Sequence, residues 1–269
     1  MQSSNPVLNR LTPVQPERGG YAAPGDPSRV PYPQPAYPSV MQADEGRMTI
    51  DDVVVRTVAL LAVLGIAGAA AWMLVPDDLV GVGVTGAAII GLVVGLIIAI
   101  ARVTNPAVIF AYAVIQGVFV GLISKVFETA YAGIVVQAVV GTFGVFLIMA
   151  VLYKFRVIRA TPRFTKVLIG AMFGILAVML VNWILSLFGV YTGLRGDAEG
   201  NAGWVAIGFS LVVIVVAALS FIVDFDQIEQ AVRAGAPAKT AWTCAFGLLI
   251  GLIWVYLEIL RLLSYLRQR

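Results

Sequence analysis

AGWVAIGFSLVVIVVAALSFIV, residues 202–223, runs without a break into DFDQIEQAVRAGAP, residues 224–237. The first part holds twenty-two residues without a charge, long enough for a helix to cross a hydrocarbon core of about 30 Å. The second part brings Asp224, Asp226 and Glu229 within six residues. Those acids either cap a helix, face water, or carry a function, and the rest of the chain decides between these.

The 269-residue chain is 60% hydrophobic and 12% charged, against about 25% charged residues in ordinary soluble domains. A soluble fold of this size has no core large enough for so much apolar surface, so the solvent is lipid. A net charge of +3, spread along the chain, excludes nucleic acid as a partner. The single cysteine, Cys244, excludes an internal disulfide or a cysteine-based zinc cluster. There is no histidine, which removes imidazole metal sites, Ser-His-Asp triads and the usual proton switch. Any proton sensing must use carboxylates.

Residues 1–48 stand apart. Nine of the thirteen prolines lie there, and that density predicts a disordered, polyproline-like cytoplasmic tail. Order is expected from Thr49, which can cap a helix with Asp52 at the third position. Seven uncharged runs follow, at 57–76, 79–101, 103–124, 129–153, 167–194, 202–223 and 240–257. Their length and lack of alternation predict membrane-spanning helices, not strands. The expected organisation is a tail, 1–48, and a seven-helix transmembrane domain, 49–269. No secretory signal precedes the first run, so that helix itself is expected to direct insertion.

Lys and Arg set the orientation. With the N-terminus in the cytoplasm, thirteen of the eighteen basic residues fall on the cytoplasmic side, five of them in the fourth connection. The expected product is a multi-pass protein of the cell membrane with its C-terminus outside. A last helix that dips and returns would change only that final point.

Glycines four apart, such as Gly117 and Gly121, suit close helix packing, and Gln116, Gln137 and Asn182 suit bonds between helices. Two acidic sites stand out. Asp224 and Asp226 lie at the exit of the sixth run, and Glu258 lies deep in the seventh. An ionised carboxylate near mid-membrane costs about 2.5–3.5 kcal/mol on insertion scales. It must find a partner, line a wet cavity, or take a proton. Glu258 has a local candidate in Arg261, three residues on. Asp226 and Glu229 can be the solvated end of the sixth helix.

The stretches VDFDQI (223–228), YLEILRLLSYLR (256–267), GVFVGLIS (117–124) and QAVVGTFGVF (137–146) resemble, in order and spacing, motifs of the Bax inhibitor/YccA family, and its bacterial branch in particular. The resemblance covers roughly residues 50–266 and leaves out the Pro-rich tail. It implies seven helices with the last one central, and a pH-sensitive calcium leak channel gated by a carboxylate pair on helices six and seven. Carried over, the pair is Asp224 and Glu258, with Glu258 where the motif has Asp. Arg102 is the candidate latch, Asp226 an assisting acid, and calcium an ion that Asp224 and Glu258 hold transiently. No cofactor is implied.

Residue counting complicates the pair. In a straight hairpin Asp224 lies about twelve residues from the turn and Glu258 about twenty-two, roughly 15 Å out of level. The two meet only if residues 237–245 run along the interface; otherwise Glu258 pairs elsewhere. The alternative function is a non-transporting regulatory or scaffold protein that binds other membrane proteins, such as a membrane protease. An enzyme is not expected, because no activated nucleophile or metal motif is present.

Overall fold

The computed structural model describes residues 46–195 and 203–268. Most of the expected Pro-rich tail therefore lies outside the described residues. Seven helices make up the rest: α1 (Ile50–Leu74), α2 (Val80–Ala101), α3 (Pro106–Ala130), α4 (Ile134–Lys154), α5 (Pro162–Leu187), α6 (Trp204–Arg233) and α7 (Thr240–Arg267). All seven are long and apolar enough to cross a membrane, and the protein is a multi-pass membrane protein.

Local chemistry sets the helix starts. Thr49 and Asp52 form a reciprocal capping box at α1. Asn105 and Thr161 cap α3 and α5, each followed by a proline in the first turn. The amino end of α4 is capped from another helix: the Glu128 carboxylate of α3 accepts the Gly133 and Val135 N–H groups. Charges do not stop a helix, so α6 and α7 run about ten residues past the apolar runs read from the sequence, at 1.5 Å or so per residue. Gly235, at φ 66°, ends the sixth helix region, because that left-handed conformation suits glycine.

Residues 46–48 are not part of a loose tail. Met48 is buried and its N–H donates to the Ala236 carbonyl, while Ala238 N–H donates to Gly46. Arg56 of α1 completes this strap by donating to the Ala238 carbonyl and lying over the Trp242 ring. The entry to α1 is thereby tied to the α6–α7 turn.

The central helix is α7, which packs against α1, α3, α4 and α6; α2 leans on α3, and α5 on α6. At the end opposite the strap, Arg267 donates to the Ala132 carbonyl and to Gln137. Lys125 of α3 there donates to the Val75 carbonyl and pairs with Asp77 at 2.7 Å. So α7 is one continuous helix that runs from the strap end of the bundle to the opposite end.

Small residues place α1 on α3. A Cβ added to Gly117 would lie 2.5 Å from the Leu64 carbonyl oxygen, and one on Gly121 would overlap the Gly68 backbone. Gly121→Val should force these helices apart, at the ~1–3 kcal/mol typical of overpacking or more, and lower the melting temperature in detergent. Gly65→Ala, where a Cβ meets nothing, should leave it unchanged or raise it. Equal melting temperatures for Gly121→Val and the unmodified protein would contradict this packing.

Candidate functional site

The α6–α7 hairpin carries all the singled-out acids, and its antiparallel register decides which of them meet. Ser210 of α6 donates to the Glu258 carboxylate of α7 at 2.7 Å. Nearer the turn, Asp224 of α6 lies within electrostatic reach of the Cys244 thiol of α7. Fourteen residues separate the two levels on each helix, or about 21 Å along the axis. The hairpin is straight, and 237–245 does not carry α7 sideways to close that gap. Asp224 and Glu258 are therefore not a hydrogen-bonded pair. They cannot hold one calcium ion between them, since calcium–oxygen distances are about 2.3–2.6 Å. Among the described residues, no group of three or more His, Cys, Asp or Glu side chains is placed to hold a metal.

Glu258 is 2% exposed and fully engaged. Arg195 Nη1 donates to both of its oxygens at 3.2 Å. Arg261 Nη1 adds a longer bond at 3.4 Å, so the local pairing exists but is secondary. Arg195 comes from the connection between α5 and α6, and its guanidinium also donates to Met179 Sδ of α5 and lies over the Phe209 ring of α6. One cation thus ties α5, α6 and α7 together. Burying a charge costs several kcal/mol unless hydrogen bonds and an opposite charge offset it; Glu258 has both.

Asp224 is in a different situation. It is half-buried, and no hydrogen bond or ion pair to its carboxylate forms among the described residues. Asp226, two residues on, accepts from Gln230. Glu229 accepts from Tyr153 of α4 and from Arg233. Those two acids make a local polar cluster at the end of α6, as a solvated helix end would. Arg102 is exposed, in a left-handed conformation (φ 48°) at the C-cap of α2, and forms no bond with either Asp224 or Glu258. It is not placed as a latch in this structure.

Of the lone amides, Gln137 does bond between helices, to Arg267. Gln116 instead donates within its own helix to Tyr112, and Asn182 accepts from Thr192 beyond the end of α5. Arg195 and Ser210 were missed in the sequence. The available signals were that Arg195 is the one basic residue between Lys166 and Arg233, and that Ser210 interrupts an apolar run fourteen residues before Asp224.

A family model described as Bax inhibitor 1 like matches residues 5–268. The match takes in nearly all of the Pro-rich segment, so the expectation that this segment falls outside the family's reach is corrected. No curated protein matches.

Arg195→Met should leave Glu258 buried with the Ser210 hydroxyl and the longer Arg261 contact. The expected loss is near the low end of the ~3–5 kcal/mol seen when a buried pair loses one partner, read as a lower unfolding midpoint. Adding Glu258→Leu should recover part of that loss. An Arg195→Met protein as stable as the parent would show that the pair does not hold these helices.

Proposed function

This chain belongs to the Bax inhibitor 1 like family, and from that premise we propose that it is a pH-sensitive calcium leak channel in a bacterial cell membrane. Asp224 is the proton-responsive group, and the Glu258–Arg195 cluster is a fixed closure at the other end. The calcium leak is the activity that the resemblance to Bax inhibitor/YccA motifs implies. One observation carries the assignment of roles: Asp224 alone among Asp224, Asp226, Glu229 and Glu258 has no hydrogen bond or ion pair among the described residues.

A neutral Asp224 leaves the α6–α7 contact uncharged and sealed. When pH rises and the proton leaves, a bare carboxylate stands in that contact and must draw in water or a cation. A hard oxygen anion with water around it suits calcium. Glu258 has no such freedom, because two guanidinium groups and a hydroxyl already compensate it. Asp226 stands beside the mouth, held by Gln230.

The basic-residue count supports an N-terminus in the cytoplasm, with the strap, the α4–α5 connection and the α6–α7 turn on that side. Asp224 then lies towards the cytoplasm, Glu258 towards the outside, and the C-terminus outside.

Calcium flux into proteoliposomes, followed against pH, tests this. Flux through the unmodified protein should rise with pH, and Asp224→Asn should hold it low at every pH, since Asn resembles the protonated acid. An unchanged pH profile in Asp224→Asn would remove Asp224 from the mechanism. No flux from the unmodified protein at any pH would remove the channel and leave the membrane-scaffold reading.

A further inference from the structure

Helices α1 and α4 both pack on α7 but not on each other, which leaves a lengthwise groove between them. Towards the strap end the groove holds a cavity of about 870 Å³, within the ~300–1,000 Å³ range of small-molecule sites. Val54 and Leu61 of α1 form one wall, Phe146 and Ala150 of α4 the other, and Leu248 and Leu252 of α7 the floor. A second cavity of about 460 Å³ shares Leu61, Phe143 and Leu252 with the first and extends the groove to Trp72 and Met73 at the far end of α1.

Lipid chains cover every outward face of a membrane protein, so an apolar groove by itself selects nothing. This one ends in charge. Lys154, Arg156 and Arg159, at the end of α4 and in the following connection, line the mouth. None of the three forms an ion pair among the described residues, although Arg156 lies within electrostatic reach of Glu229. The other charged groups at the mouth are already engaged: Glu229 by Tyr153 and Arg233, Asp226 by Gln230. Three unspent cations at one end of an apolar trough match an anion attached to a hydrocarbon chain. Arg156 is also held at φ 55°, an uncommon conformation for a residue with a side chain, in the turn that leads from α4 to the connection.

We propose that the α1–α4 groove is a binding site for one anionic phospholipid, its acyl chain lying between α1 and α4 and its phosphate on Lys154, Arg156 and Arg159. The site is separate from Asp224 and does not depend on ion conduction. A bound lipid fills the space between two helices that otherwise do not touch, so its presence sets how firmly α1 and α4 are held against α7.

Native mass spectrometry of the full chain, released from nanodiscs of equal phosphatidylglycerol and phosphatidylcholine, tests the site. The unmodified protein should retain one phosphatidylglycerol in preference to phosphatidylcholine by about tenfold or more, given three basic contacts. The combined Lys154→Gln, Arg156→Gln and Arg159→Gln variant should keep its helical content and lose that preference. Ala150→Trp, which fills the trough and leaves the cations in place, should lose the retained lipid of either kind. Equal retention of both lipids by the unmodified protein, or an unchanged preference in either variant, would overturn the proposal. A lipid-free dimer would assign the groove to a second copy of the chain and overturn it equally.

Discussion

The register of α6 against α7 governs this protein. In lipid each span must satisfy its own backbone hydrogen bonds, so the helices are obligatory and only their relative placement is left to the side chains. Three features set the hairpin. Gly235 and Pro237 make the turn, Phe221 fills the space that Gly251 leaves open, and Ser210 meets Glu258. Phe221 is fully buried and packs edge-on against Phe146 of α4, so the same contact that fixes the hairpin also seats it on the next helix. A shift of one helical turn would set Phe221 against Val255 in one direction, and in either direction would leave the Glu258 carboxylate without its hydroxyl donor.

From that register the charges divide into two layers. The layer near the turn is rich in acids but loosely tied, with Asp224 unpartnered among the described residues and Asp226 and Glu229 bonded locally. The far layer holds one deeply buried acid and an excess of donors. Arg195 bridges three helices there, and the Lys125 and Arg267 contacts join helix ends on the same side. The asymmetry assigns different work to the two layers: one can change its charge with little rearrangement, the other holds the bundle together.

Much of this was legible in the chain. The seven spans follow from uncharged runs of membrane length, the α1 start from Thr49 and Asp52, and the packing of Gly117 and Gly121 from their spacing. Residue counting along the hairpin already placed Asp224 and Glu258 out of level, and the structure agrees with the counting over the transferred motif. The partner of Glu258 was not legible. Arg195 lies sixty-three positions away in the sequence, in a connection whose course depends on how α5 leans on α6, and no local pattern encodes that. The uncharged runs mark the stretches that cross lipid and not the helix ends, because Asp, Glu and Arg are compatible with a helix that leaves the membrane; at α6 it is Gly235, with its positive φ, that marks the end.

The separation of the two acidic layers is the central feature, and a distance between exposed positions reads it without disturbing either. Gln227 of α6 and Leu266 of α7 are both exposed, and in a Cys244→Ala background each can carry a spin label. In this register Gln227 stands level with Ala241, so the two labels are separated along the axis by about 38 Å. If Asp224 instead faced Glu258, Gln227 would stand level with Val255 and the separation would shrink to about 17 Å. A pulsed electron-resonance distance near the larger value is the expected result; one near the smaller value, at acidic or alkaline pH, would contradict the account.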